Sequence, residues 1–327
     1  MGANPMRLRW LPPLSLILAL GCDQTSRFRQ HDFPIVVVES FAPYGSVIWA
    51  ADGQHLLFNH RPLARIQEIP PGSHLYYYIG DSTGAGIGAL DLASETMRRV
   101  YPAQLGGLEL SHDGQFLYYE AQGQVWRITV QADSLIVGSE MQVTNSSEGA
   151  FGPSVSNSGT RLLYYVGTGR GGIRISAASG GGDHFVGPSE GWISPDWQPN
   201  DSSFAFVRFG SSATSIAVVD TFGVQPVSIQ ANANSPKWSP DGTHIAFLSR
   251  GSDLNTRDKL WLMNRDGSGV RQLTTESVAP EFNWSPDGTR IAYVRFIDND
   301  TSYVNGTIWL IDPMTLDRYQ VTFNRRP

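Results

Sequence analysis

Pairs of apolar residues recur along the chain, two positions apart, and the second member of each pair is aromatic. There are six such pairs, and they are Leu56 and Phe58, Leu117 and Tyr119, Leu162 and Tyr164, Phe204 and Phe206, Ile245 and Phe247, and Ile291 and Tyr293. Side chains two residues apart lie on the same face of a β-strand. The pattern therefore predicts six strands that each bury one face.

A turn sequence precedes each predicted strand. The clearest copies, residues 238–242 and 284–288, both read Trp-Ser-Pro-Asp-Gly. Proline favours the turn conformation, aspartate caps it and glycine accepts a positive φ. Four weaker copies begin at Trp49, Leu110, Val155 and Trp197. We call the six first residues the turn-start positions.

The spacing of these copies predicts the fold class. The glycine position recurs at residues 53, 114, 159, 201, 242 and 288, in steps of 61, 45, 42, 41 and 46 residues. Units of about 40 to 45 residues with four strands each are typical of propeller blades. We therefore expect an all-β protein, a six-bladed β-propeller of four-stranded antiparallel blades, spanning residues 32–327. The segment 35–39, which begins with the β-branched run Ile-Val-Val-Val, precedes the first repeat, and it predicts an N-terminal strand that closes the ring on the last blade.

The first residues have the pattern of an export signal. Arg7 and Arg9 precede a mostly apolar stretch over residues 11–20, which is too short to span a bilayer. It ends at Gly21 and Cys22 in a sequence that resembles a bacterial lipobox, and Cys22 is the only cysteine of the chain. We expect residues 1–21 to be a lipoprotein signal peptide, Cys22 to carry the lipid and residues 22–31 to be a tether. An ordinary secretory signal is the alternative.

Composition excludes some classes of function. The formal net charge is −6, only 17% of the residues are charged, and no basic stretch suggests a nucleic-acid partner. A single cysteine cannot build a cysteine-based zinc cluster. The resemblance to a lipobox at residues 18–22 implies a lipoprotein of the bacterial cell envelope, outside the cytoplasm and anchored to a membrane.

The repeat resembles that of a known family. The turn sequence, the strands Ile-Ala-Phe and Ile-Ala-Tyr, and the segments Leu-Trp-Leu-Met-Asn-Arg-Asp-Gly and Arg-Gln-Leu-Thr in residues 260–274 are similar to the TolB-type propeller repeat. The resemblance covers roughly residues 47–323. It implies a module that binds another envelope protein, although the chain lacks room for the α/β domain that precedes the propeller in TolB. The same repeat occurs beside peptidase domains and in polysaccharide lyases, so a carbohydrate-active or peptide-hydrolysing enzyme remains an alternative.

The sequence contains no convincing catalytic set or cofactor motif. Residues 80–84 fit Gly-x-Ser-x-Gly around Ser82, but a glycine-rich loop follows instead of the helix that a nucleophile elbow requires. Asp298 and Asp300 offer oxygen ligands at alternate positions, as a Ca²⁺ loop does, without the glycine and glutamate of an EF-hand. They are weak candidates for a metal site.

A polar set is predicted to line the central channel. The residues just before the turn-start positions are mostly polar, and they are Ile48, Glu109, Ser154, Asp196, Lys237 and Asn283. The residues two positions before are all apolar, which predicts packing between blades. The residues that lie three positions before the turn-start positions are small in five of the six copies, which is expected if they crowd around the central axis. The channel is either a wet passage with a lysine among carboxylates or a site for a small ligand.

Loop lengths predict a surface for a protein partner. The connections at about residues 59–87, 249–259 and 295–307 are long, and they belong to the first, fifth and sixth units, which are neighbours in a closed ring of six. Their tyrosine and arginine residues are types that anchor interfaces. These candidates are Arg65, Tyr76, Tyr77, Tyr78, Arg257 and Tyr303. Part of residues 75–79 is alternatively an additional strand.

Overall fold

The computed structural model describes most of the chain after residue 43. The described ranges are residues 44–68, 71–72, 76–131, 134–167, 171–188, 191–211, 213–251, 258–296 and 306–322. Every regular element within them is a β-strand or an isolated turn. In this part of the chain no helix has the length and apolar character needed to cross a membrane.

The first three blades follow one another along the chain. Blade 1 contains β1 (Tyr44–Trp49) and β2 (His55–His60), then a separate hairpin of β3 (Leu63–Glu68) and β4 (Tyr76–Gly80), then β5 (Gly86–Asp91) and β6 (Thr96–Tyr101). Blade 2 contains β7 (Gly106–Leu110), β8 (Phe116–Ala121), β9 (Gln124–Gln131) and a divided outer edge, β10 (Ser134–Leu135) and β11 (Met141–Gln142). Blade 3 contains β12 (Ala150–Val155), β13 (Arg161–Val166), β14 (Ile173–Ala177) and β15 (His184–Phe185).

The last three blades are regular four-stranded sheets. Blade 4 contains β16 (Trp192–Trp197), β17 (Ser203–Phe209), β18 (Thr214–Asp220) and β19 (Val227–Ala231). Blade 5 contains β20 (Asn234–Trp238), β21 (His244–Ser249), β22 (Lys259–Asn264) and β23 (Arg271–Gln272). Blade 6 contains β24 (Ser277–Trp284), β25 (Ile291–Phe296), β26 (Thr307–Ile311) and β27 (Arg318–Gln320). The predicted six-bladed all-β propeller is thereby confirmed.

Apolar clusters join each blade to the next and close the ring. Each of the six clusters combines residues of two neighbouring blades, and one packs Val47 and Phe58 of blade 1 against Val294 and Leu310 of blade 6. All six predicted apolar–aromatic pairs are buried in these clusters. A fully buried leucine or phenylalanine stabilises the fold by about 1.5 to 3 kcal/mol, so the interfaces between blades hold the ring together. The predicted closing strand, residues 35–39, lies outside the described residues.

The turns between the first two strands of the blades have the predicted chemistry. In blade 5, Ser239 Oγ donates to Asp241 Oδ1 at 2.6 Å, and the same carboxylate accepts the Thr243 N–H at 3.0 Å. Gly242 has a φ of +67°. Blade 4 places Asp201 at the glycine position with a φ of +59°, a conformation that aspartate tolerates better than most residues.

A bulge near the axis interrupts the innermost strand of every blade. The pairing register shifts between Gly45 and Ile48 in blade 1 and at the equivalent places in the other blades. In five blades the residue three positions before the turn-start position has a positive φ, and these residues are Ser46, Gly107, Gly152, Ser194 and Ser235. Their small size therefore reflects a left-handed backbone as well as crowding, since a Cβ on Gly152 would lie 2.7 Å from the Tyr165 ring.

Candidate functional site in the central channel

Two cavities meet end to end along the axis. One, of about 420 Å³, opens among the turns that follow the innermost strands, and we call it the turn-side cavity. The other, of about 260 Å³, opens where the second strands end, and we call it the loop-side cavity. Ile48, Lys237 and Asn283 line both cavities and form the wall between them.

The predicted polar set lines the turn-side cavity. Glu109, Ser154, Asp196, Lys237 and Asn283 come from blades 2 to 6 and all contribute to its surface. The ammonium of Lys237 lies 3.0 Å from Asp196 Oδ1 and 3.2 Å from Glu109 Oε2. The side chains retain little accessible surface: 26% for Lys237, 9% for Asp196 and 15% for Glu109. One ammonium thus bridges two carboxylates from separate blades.

Burial and mutual interaction shift the pKa values of this trio. Burial raises the pKa of Glu109, and the charge of Asp196 adds to the shift, while Lys237 offsets part of it. Burial also raises the pKa of Asp196 against the opposing effect of Lys237. Burial alone would lower the pKa of Lys237, but the two carboxylates outweigh it and the pKa is raised. Lys237 therefore remains charged between the two carboxyl groups.

The same side chains stabilise the exposed edges of the innermost strands. Glu109 accepts the backbone N–H of Val155, Ser154 Oγ accepts that of Trp197 at 3.2 Å, and Asp196 Oδ2 accepts that of Trp238 at 2.7 Å. Each acceptor lies one blade before its donor. An edge strand leaves alternate N–H groups unpaired, so these residues have a structural role as well as a position in the channel.

Two glutamates that the sequence reasoning did not identify face the loop-side cavity. Glu120 is the penultimate residue of β8 and accepts the Gly152 N–H at 2.6 Å, and Glu281 lies in β24 on the wall of the same cavity. Burial among the channel walls raises the pKa of both carboxyl groups, and the charge of Glu120 adds to the shift at Glu281, although the Glu281 side chain is exposed at the cavity surface. Glu120 and Tyr165 both stand ten residues after a turn-start position, a spacing that marks the end of the second strand.

The channel does not contain a recognisable metal site or nucleophile–base pair among the described residues. Within the described ranges, no group of three or more histidine, cysteine, aspartate or glutamate side chains is placed to hold a metal ion. His112 is the one histidine among the described residues that line the two cavities, and it is exposed at the turn-side rim. The arrangement offers carboxylates, hydroxyl groups and one paired ammonium.

The structure describes only part of the predicted partner surface. Arg65 lies on β3 with an exposed side chain, and Tyr76, Tyr77 and Tyr78 lie on β4. The long connection in blade 1 thus contains a β-hairpin, in agreement with the alternative of an additional strand. The remaining candidates lie outside the described residues, and they are Cys22, Arg257, Asp298, Asp300 and Tyr303.

Three long connections leave the same face of the ring. Blades 5 and 6 share one apolar cluster and blades 6 and 1 share another, so the three blades are neighbours. Their connections between second and third strands all begin where the second strand ends, which is also where the loop-side cavity opens. These connections are residues 61–85, 250–258 and 297–306, and residues 252–257 and 297–305 lie outside the described residues. We call the face from which the three connections leave the partner face.

The fold is shared with proteins of several functions. A putative TolB from Agrobacterium tumefaciens superimposes with a TM-score of 0.58 and 19% identity, over 71% of this chain and 86% of that protein. TolB from Acinetobacter baumannii superimposes with a TM-score of 0.61 and 16% identity, over 72% of this chain and 59% of that protein. An oligogalacturonate lyase from Vibrio parahaemolyticus superimposes with a TM-score of 0.53 and 13% identity, over 86% of this chain and 77% of that protein.

Sequence comparison adds no closer assignment. No protein-family model and no curated protein matches the chain. At these identities the structural matches establish the fold alone. The chain therefore has the six-bladed β-propeller fold that the TolB structures share.

Proposed function

We propose that this protein is a lipid-anchored binding module of the bacterial envelope, which holds another envelope protein on its partner face. The observation that carries the proposal is the adjacency of blades 5, 6 and 1, because it brings the three long connections to one side of the ring. Loops on a rigid repeat scaffold vary without disturbing core packing, and they commonly form its binding surface.

The hairpin of β3 and β4 supports this proposal. Its strands pair only with each other and not with the blade sheets. Arg99 Nη1 and Nη2 donate to the carbonyls of Thr83 and Pro102 at 2.8 Å each, which fastens the segment after the hairpin to blade 1. The hairpin is thus a supported projection, and preorganised projections lose less conformational entropy on binding.

Membrane attachment through Cys22 is the second part of the proposal. The only cysteine follows Gly21 at the end of the predicted signal. Lipid chains contribute about 0.8 kcal/mol for each buried CH₂ group, so two or more chains give stable anchoring. The anchor would hold the propeller at a membrane surface in the extracytoplasmic space.

Replacing the hairpin tests the partner face. A variant in which a short Gly-Ser turn replaces residues 63–80 should fold, because the hairpin contributes no strand to a blade sheet. We expect this variant to lose a partner that the unaltered protein retains after chemical cross-linking in intact envelopes, with little change in melting temperature. Retention of the partner at the unaltered level would refute the proposed surface.

The channel is the second candidate for the binding site. The observation that favours it is the pair of cavities along the axis, which are lined by carboxylates of blades 2, 4 and 6. It would serve a small ligand or the substrate of an enzyme. Binding that survives loss of the hairpin but disappears with Lys237→Ala or Asp196→Ala, in preparations that circular dichroism shows to be folded, would place the function there.

A further inference from the structure

The loop-side cavity contains polar groups whose hydrogen-bonding capacity is unused. Five of its lining residues make no side-chain hydrogen bond to another described residue, and they are Ser46, Ser194, Ser235, Tyr165 and Glu281. Glu120 also lines the cavity, and its Oε1 accepts the Gly152 N–H. Ser46 retains only 8% of its accessible surface. Within the described residues its hydroxyl group has no hydrogen-bond partner, although it lines the cavity.

The charge of the cavity is unbalanced. Glu120 and Glu281 line it from blades 2 and 6, and the negative charge of Glu120 adds to the raised pKa of Glu281. Lys237 lies in the wall, but its ammonium is engaged by Asp196 and Glu109 at 3.0 and 3.2 Å. Among the described residues, no other basic side chain lines this cavity.

The walls between the polar groups are apolar. Pro153, Pro195, Pro236 and Phe282 occupy equivalent positions in four blades, two residues before the turn-start positions, and they line the cavity with Val47. A volume of about 260 Å³ accommodates a short aliphatic chain. The cavity therefore combines an acidic, hydroxyl-rich surface with an apolar wall, as a ligand with a cationic head and an aliphatic stem requires.

We propose that the loop-side cavity binds an organic cation, an alkylammonium or alkylguanidinium group, between the carboxylates of Glu120 and Glu281. Such a head group carries several N–H donors and no acceptor, so it pairs with carboxylates and with hydroxyl oxygens together. The phenol ring of Tyr165 adds an aromatic surface that attracts a cation. The group belongs either to a free polyamine or to a basic side chain of a peptide.

Other ligands fit the cavity less well. A Ca²⁺ ion takes six to eight oxygen ligands, mostly carboxylate and carbonyl, and two glutamates with serine hydroxyl groups supply fewer. An acidic sugar would meet the repulsion of both carboxylates. Binding of a small cation in this cavity needs no protein on the partner face, so the two proposals can fail separately.

Calorimetry with two probes tests the site. The full-length protein in detergent is titrated with agmatine, a four-carbon chain with ammonium and guanidinium ends, and with N-acetyl-arginine amide. We expect saturable binding that weakens at least tenfold in Glu281→Gln and in Glu120→Gln. Glutamine at position 120 keeps an acceptor for the Gly152 N–H, and the Glu281 side chain makes no hydrogen bond to another described residue, so both variants should fold.

A glutamate on the same face provides the control. Glu148 is exposed and does not line the cavity, so Glu148→Gln should bind both probes as the unaltered protein does. Tighter binding of agmatine identifies a free polyamine as the source, and tighter binding of the capped arginine identifies a peptide side chain. Absence of saturable binding would overturn the proposal, as would equal binding by Glu281→Gln. Binding of Mn²⁺ or of a neutral oligosaccharide that requires Glu281 and is unaffected by agmatine would also overturn it.

Discussion

Asp196 holds Lys237 and the residue that follows it with its two carboxylate oxygens. Oδ1 lies 3.0 Å from the Lys237 ammonium, and Oδ2 accepts the backbone N–H of Trp238 at 2.7 Å. The indole of Trp284 donates in turn to the Lys237 carbonyl at 3.1 Å. Blades 4, 5 and 6 are thus linked at the axis through one residue, and the ion pair is part of the ring's construction.

Removing the Lys237 ammonium should destabilise the ring. In Lys237→Met, the side chain keeps its approximate length, but Glu109 and Asp196 lose the cation that compensates their burial. Breaking a buried ion pair from one side costs about 3 kcal/mol or more. We expect a loss of that order in urea denaturation at pH 7, and a smaller loss at pH 5 because protonation of the carboxyl groups relieves their repulsion.

Lys259 supplies the comparison for this experiment. It is a half-buried lysine of β22, and the structure gives it no ion pair within 4.0 Å in the described residues. Lys259→Met should change the free energy of unfolding by less than about 1 kcal/mol. If both variants unfold at the same urea concentration, the bridging role of Lys237 is wrong.

The stability of variants at Ser235 should depend on how well the new residue accepts the left-handed backbone of the bulge. Ser235 has a φ of +49°, where a β-branched side chain is strongly disfavoured and glycine is not. Ser235→Val should therefore lower the free energy of unfolding by about 1 to 2 kcal/mol, whereas Ser235→Gly should change it by less than about 0.5 kcal/mol. Equal stability of the two variants in guanidinium unfolding would show that the left-handed conformation places no demand on this position.

An ionic cluster between blades 5 and 6 should make stability depend on acid pH. The Glu276 side chain retains 8% of its accessible surface. Arg318 Nη1 lies 2.6 and 2.7 Å from its oxygens, and the Tyr293 hydroxyl donates to it at 3.1 Å. Burial alone would raise the pKa of Glu276, but Arg318 and Arg295 with a backbone hydrogen bond lower it. A carboxyl whose pKa is lowered on folding stabilises the protein above its unfolded pKa, about 4.3, and loses that contribution as the pH falls through the folded value.

Glu276→Gln tests this pH dependence. At pH 7 the variant should be less stable by about 1 kcal/mol or more, because partly exposed arginines remain without their carboxylate. The difference from the unaltered protein should diminish below pH 4, and Glu148→Gln should show no such trend. A difference that stays constant from pH 7 to pH 3 in thermal melts would contradict the assignment of the shift to Glu276.

The sequence predicts the ring because its signals are local and repeated. Turn chemistry at residues 238–242 and the apolar–aromatic pairs recur at blade spacing, and each predicts a strand without knowledge of distant contacts. The divided outer edge of blade 2 was not predicted, since β10 and β11 contain two residues each. Segments so short have no detectable periodicity.

The part of the channel that lies beside the repeated turns was predicted, because its residues keep a fixed distance from the turn-start positions. The polar set beside the turn-start positions is found by counting back one residue, and the structure places Glu109, Asp196 and Lys237 on one cavity. Which of them pair depends on blade geometry, which the sequence does not state. Glu120 was missed because it comes from a different strand, and only the fold brings its side chain beside Glu281.

Membrane attachment depends on one residue in this account. Cys22→Ser removes the thiol that would receive the lipid, so we expect the protein to move from the membrane fraction to the soluble fraction after envelope disruption. Labelling with a radioactive fatty acid should be lost in parallel. Unchanged sedimentation with membranes at high salt would contradict lipid anchoring.

Site-specific photocross-linking in intact envelopes tests the proposed function most directly. A photoreactive amino acid replaces Arg65, which is exposed on the hairpin of the partner face, or Phe222, which is 82% exposed on the turn-side hairpin of blade 4. We predict that the probe at position 65 cross-links one reproducible protein, and that the probe at position 222 does not. Cross-linking of the same protein from position 222 but not from position 65 would contradict the account.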